Sequence, residues 1–103
     1  MAGQRRRVIW TRYASEMLDE AVAHLNRASP PAAERLLSEA LDAASSLDAH
    51  TERGRVVPEL RDSSIREIFV RRYRLLYHVG ADDVLVLAFV HGGRDLTRRP
   101  PDD

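Results

Sequence analysis

The residues able to do chemistry gather in the second half of the chain. Arg66 and Arg74 fall inside apolar runs, and His91-Gly92-Gly93-Arg94 closes the last of those runs. Arginine is a permanently charged planar fork that pairs with carboxylate or phosphate. An arginine at position 74, inside an apolar strand, therefore implies a partner acid or a ligand. Glu59, directly after Pro58, fits either a general base or an arginine-paired acid. His91 fits either a structural hydrogen-bonding role or a functional contact. His24, His50 and His78 show no ligand spacing, so neither a metal nor a small-molecule cofactor is expected.

The charge balance narrows what these arginines can do together. All 16 basic residues are arginine, against 16 acids, for a formal net charge of zero. Residues 30–53 carry two arginines against five acids, whereas residues 54–99 carry nine against six. Non-specific nucleic-acid binding draws its affinity from neutralised phosphates, so a neutral chain is a poor candidate for it. The chain has no cysteine, which excludes a disulfide framework and a thiolate zinc site. No run of about 20 apolar residues occurs, so no membrane span is expected, and the cytoplasm is the expected location.

At 103 residues the chain suits one domain, 1–103, with residues 1–6 and 97–103 as loose tails. Residues 7–11 predict a short strand. Ala14, Met17, Leu18, Ala21, Val22 and Leu25 then form one apolar stripe at helical spacing. Ser29-Pro30-Pro31 breaks the chain and restarts it, with Ser29 as N-cap and Pro30 as the first helical residue. A second stripe follows at Ala33, Leu36, Leu37, Ala40, Leu41, Ala44 and Leu47. So short a link predicts an antiparallel helical hairpin.

Residues 48–54 predict a loop. Residues 55–60 predict a short strand, which Pro58 confines to a sheet edge or bulge because it cannot donate to a ladder. Residues 65–70, 73–79 and 84–91 predict stronger strands, with tight turns at Arg71-Arg72 and at 80–83. Short links make them antiparallel neighbours. The expected fold class is α+β: a helical hairpin packed on a small, mostly antiparallel sheet in the order β-αα-ββββ. Strict alternation puts Val84, Val86, Ala88 and Val90 on one face and Leu85, Leu87, Phe89 and His91 on the other. Both faces are apolar, so this strand should be interior. The face away from the helices is either covered or left as a binding surface. A charge introduced at Leu75 or at Leu87 is expected to abolish folding.

The order of these elements resembles the RelE/ParE superfamily of small bacterial toxins over residues 8–96. The likeness rests on Trp10 in the opening strand, the Pro31-Ala32-Ala33 start of the second helix and the Gly54-Arg55-Val56-Val57-Pro58-Glu59 segment. It continues in Ile65-Arg66-Glu67, Tyr73-Arg74-Leu75-Leu76-Tyr77 and His91-Gly92-Gly93-Arg94. No one of these is specific; their order and spacing together are. The resemblance implies the toxin of a type II toxin–antitoxin module, neutralised by a cognate antitoxin that lays an extended or helical tail across it.

Within the superfamily, the ParE-like branch inhibits DNA gyrase and the RelE/YoeB-like branch cleaves mRNA on the ribosome. The His-Gly-Gly-Arg ending with Asp95 looks more like ParE, as do the neutral charge and the absence of lysine. On that reading Arg66, Arg74, His91 and Arg94 are the target-binding residues. On the alternative reading Glu59, Arg74 and His91 would be catalytic, although Gly92 stands where the YoeB-like pattern has tyrosine. That chemistry requires the three to converge on one phosphate.

Overall fold

The computed structural model describes residues 5–94 and 96. Five strands form one sheet: β1 (Arg7–Trp10), β2 (Arg55–Val56), β3 (Ile65–Val70), β4 (Tyr73–Val79) and β5 (Asp83–His91). Their spatial order is β1-β5-β4-β3-β2. β1 runs parallel to β5, and the other pairs are antiparallel. Helices α1 (Arg12–Ala28) and α2 (Pro30–Ser45) follow β1 directly, so the expected β-αα-ββββ order holds.

Local chemistry sets the helix ends. The Thr11 hydroxyl caps α1 by accepting from the Ala14 N–H at 3.1 Å. Ser29 serves both helices. Its N–H donates to the Leu25 carbonyl at 2.9 Å, and its hydroxyl accepts from the Ala32 N–H at 3.3 Å. Pro30 and Pro31 occupy the first two positions of α2, where their missing N–H groups cost nothing. One residue is thus the whole hinge of the hairpin.

The hairpin buries Ala14 and Leu18 of α1, and Leu36, Ala40, Ala43 and Ala44 of α2, against Ile68, Leu75, Tyr77, Val84, Val86 and Phe89. Two members of the expected α2 stripe differ. Leu37 and Leu41 are 37% and 44% exposed, and Ala43 is buried instead. The face that α2 turns to the core is narrower than its apolar stripe. Small alanines let the helix sit close, which leaves the two leucines on the shoulder.

The sheet face away from the hairpin is covered in part. Val57, Leu76 and Val90 form a second buried cluster, with Leu60, Ile65, Ala88 and Leu96 packed on it. The expected strand over 55–60 is only two residues long. Val57, fully buried, still donates its N–H to the Ile65 carbonyl at 3.3 Å, and a turn closed by the Leu60 N–H on the Val57 carbonyl then folds the chain back.

Strict alternation along β5 fails at one point. Leu76 pairs with Ala88 but Tyr77 pairs with Val86, so Leu87 is an extra residue. Such a bulge re-aims every side chain beyond it. Val84, Val86 and Phe89 therefore share the helix-facing core, while Ala88 and Val90 belong to the opposite cluster. The expected grouping of Ala88 and Val90 with Val84 and Val86 is thereby corrected.

Tyr77 pins the loop after α2 to the sheet. Its hydroxyl donates to the Thr51 carbonyl at 2.7 Å and accepts from the Gly54 N–H at 2.8 Å. A side chain at position 54 would collide with the Glu67 carbonyl and the Tyr77 hydroxyl, so the close approach requires glycine. Of the expected tails, 1–6 and 97–103, residues 1–4 and 97–103 lie outside the described residues. Arg6, by contrast, is tied down: its N–H donates to the Asp48 carbonyl and its Nε to the Gly80 carbonyl, both at 2.8 Å.

Candidate functional site

Two groups of polar residues stand out, one on each side of the sheet. The first is centred on Arg74. Arg74 lies opposite Val90, and so on the face away from the helices. Its direct partner on β3 is Phe69, which places Glu67 at the diagonal position, within reach of a long side chain. Arg74 Nε donates to Glu67 Oε1 at 2.6 Å. Nη1 and Nη2 each donate to a Glu59 oxygen at 2.7 Å, a bidentate pair. Nη1 also donates to the Arg94 carbonyl at 3.0 Å. Glu67 completes its own set by accepting from Arg55 Nε at 2.7 Å. The Glu67 side chain is fully buried and that of Arg74 is 4% exposed.

The arrangement is closed. Four hydrogen bonds occupy a guanidinium with five donors. The bond from Arg74 holds the Glu59 carboxyl down at about 2 against an ordinary 4.5, opposed by partial burial. Pairing with Glu59 first, and then Glu67, raises Arg74 above its already high ordinary value. A carboxylate held that low takes up a proton poorly and is a weak general base near neutral pH.

The lowered Glu59 value has a consequence for stability. A carboxyl depressed in the folded state contributes fully above its unfolded value of 4.5 and loses that contribution as pH falls towards about 2. Acidification from pH 5 to pH 2 is expected to remove on the order of 3 kcal/mol through this group. Urea melts across that window check it: Glu59→Gln should be less stable at pH 5 and should show a flatter fall.

The second group lies on the helix side, at the end of the sheet where β5 finishes. His91 pairs with Tyr73, one residue along from Arg74, and so points to the opposite face from Arg74. Its ring meets Tyr73 edge-on at 5.8 Å, and Nδ1 accepts from the Gly93 N–H at 3.3 Å. Tyr73 in turn stacks on Phe89 at 4.8 Å. Arg94 is exposed, with its N–H on the His91 carbonyl at 3.0 Å. Arg71 and Arg72 form the adjoining β3–β4 turn. Arg71 adopts a φ of 54° and donates two hydrogen bonds to Glu39 of α2, at 2.9 and 2.8 Å. A cavity of about 450 Å³ opens there, lined by His24, Leu25, Leu36, Arg72, Tyr73 and His91 among others.

The structure thus brings Glu59 and Arg74 together and sets His91 apart from them, while His91 and Arg94 share a rim. Arg66 lies elsewhere, half-buried, with Nη1 donating to the Gly54 carbonyl at 2.7 Å. Sequence reasoning expected a partner acid for Arg74 but did not single out Glu67. An acid inside an apolar strand, two positions from the residue facing Arg74, was the available signal. The contribution of His24, Arg71 and Arg72 to the rim had no signal, because it depends on how the hairpin seats over the sheet.

Comparison with known proteins places this geometry. The family model described as ParE toxin of type II toxin-antitoxin system, parDE, matches residues 8–96. None of the curated proteins matches the chain. A solved structure titled "Chromosomal ParDE TA system from P. aeruginosa" is similar at a TM-score of 0.72 and 16% identity, covering 86% of this chain and 98% of that one. At that identity the likeness is one of fold.

Proposed function

The chain belongs to the ParE toxin family of type II toxin–antitoxin systems, and from that membership we propose that it inhibits DNA gyrase by binding rather than by cleaving a substrate. A type II system supplies a cognate antitoxin as its partner. No helix among the described residues is long and apolar enough to cross a membrane, and the proposed place of action is the cytoplasm, where gyrase works.

One observation supports binding over RNA cleavage: the Glu59–Arg74–Glu67 network is closed upon itself, and His91 sits on the other sheet face. Cleavage through a 2′-hydroxyl needs a base, an acid and a free cation around one phosphate. Here the cation is spoken for and the acid–base pair is split. The proposed target-binding rim is His91 and Arg94. Arg74 braces that rim by holding the Arg94 carbonyl, whereas Arg66 holds the Gly54 carbonyl away from it.

Purified toxin is expected to inhibit supercoiling by gyrase and to leave mRNA on ribosomes uncut. Arg94→Glu should weaken that inhibition on the order of 10-fold or more, as expected of a charged interface anchor. Site-specific transcript cleavage that disappears with His91→Ala, while gyrase is untouched, would establish the ribonuclease alternative instead.

A further inference from the structure

The buried network behind the rim has an outer end, where it holds a cation over an exposed aromatic ring. Among the described residues, Phe69 is the largest wholly apolar side chain left exposed, at 54%. It pairs directly with Arg74, so its ring lies on the sheet face away from the helices. Arg55 pairs with Glu67, two residues before Phe69, and its Cζ sits 5.5 Å from the centre of the ring. Two further bonds fix that cation in place. Arg55 Nε donates to the buried Glu67 at 2.7 Å, and Arg74 holds Glu67 in turn at 2.6 Å. The ring and its cation are thus ordered before anything binds.

Phe69 is also continuous with the rim. A side chain at position 92 would crowd the Arg72 carbonyl at 3.0 Å and reach the Phe69 ring at 3.4 Å. Gly92 therefore leaves that edge of the ring open. The same segment carries His91 on the helix side and Arg94 two residues on, with the Arg94 carbonyl held by Arg74 at 3.0 Å. Beside the ring, a cavity of about 290 Å³ is lined by Glu39, Asp42, Arg53 and Arg71 among others. Acids and arginines balance there. A phosphate backbone would meet repulsion at the two acids, whereas a protein surface offers an apolar centre with mixed charge around it.

We propose that Phe69, with Arg55 held against it, is a second anchor for gyrase. The target-binding surface then wraps the end of the sheet, from His91 and Arg94 to the outer face. This rests on the gyrase-binding reading. An aromatic ring and an arginine ordered in advance suit an interface anchor, because they bury a large area at little further cost in ordering.

The test measures inhibition of gyrase supercoiling by the full-length toxin and its variants. Phe69→Ala should weaken inhibition roughly tenfold or more, and Phe69→Trp should stay within about threefold of wild type. Leu41→Ala, at a site 44% exposed on α2, should inhibit like wild type. Urea melts of both alanine variants should lie close to wild type, because both side chains are exposed. A benzoylphenylalanine photo-crosslinker in place of Phe69 should join covalently to a gyrase subunit, and the same group in place of Leu41 should not. Inhibition by Phe69→Ala as potent as that by wild type would overturn the proposal. So would equal losses at Phe69 and Leu41, or cross-linking from position 69 to the DNA or to a second toxin copy rather than to gyrase. A wild type that leaves gyrase untouched would remove the gyrase reading and this proposal together. A potent wild type beside an equally potent Phe69→Ala would remove this proposal alone.

Discussion

Arg74→Met is expected to cost the folded protein about 3–5 kcal/mol, the range for removing one partner of a buried ion pair. The variant leaves the Glu67 carboxylate, fully buried, with Arg55 as its remaining cation. Glu59 loses both of its short hydrogen bonds, and the Arg94 carbonyl loses its donor. A domain of this size has roughly 5–15 kcal/mol in total, so the variant should fall near the edge of folding. The urea midpoint should drop by roughly 2 M.

Arg74→Lys should recover little of this loss. An ammonium cannot reproduce a fork that grips Glu59 with two nitrogens while a third reaches Glu67. Replacing Glu59, Glu67 and Arg74 together by apolar residues of similar volume should cost far less than the single change, because the penalty comes from the carboxylate left behind. An Arg74→Met protein that melts at the wild-type urea concentration would show that the network is not formed in solution.

Much of the architecture was legible in the residues because local and long-range preferences agree there. The spacing of Ala14, Met17, Leu18 and Val22 marks a helix with one buried side, and Ser29-Pro30 marks a stop and a start in consecutive residues. The doubly apolar run at 84–91 marks an interior strand. The resemblance through Gly54–Glu59 and His91–Arg94 supplied the toxin class, and the family match over residues 8–96 bears it out.

The site was less legible, for reasons that lie in packing. Whether Arg74 meets Glu59 depends on the chain doubling back after Val57, which Pro58 permits without requiring. Whether Glu67 joins them depends on the β3–β4 register, which the two-residue turn at Arg71-Arg72 sets. Leu37 and Leu41 read as core by period and emerge as surface, because α2 approaches through its alanines.

The bulge at Leu87 is the clearest failure of period-two reasoning, and it separates two substitutions that alternation treats alike. Leu75→Asp is expected to abolish folding. Leu75 is fully buried in the core between sheet and helices, and a carboxylate there has neither partner nor water. Leu87 occupies the extra position between Val86 and Ala88, is half-buried, and belongs to neither buried cluster. An aspartate at 87 can turn its carboxylate towards solvent, so Leu87→Asp should stay folded and lose about 1–2 kcal/mol, within the ordinary range for a point change. Expression of the two variants side by side, with urea melts of whatever is soluble, checks both. If Leu87→Asp fails to fold as completely as Leu75→Asp, the register slip is absent and the strict alternation of β5 is restored. Phe89 and His91 would then leave the helix-facing side, and His91 would turn towards the face that carries Glu59 and Arg74. The same measurement therefore bears on function: the one-residue bulge is what keeps the histidine away from the glutamate and arginine that an RNA-cleaving site would need beside it.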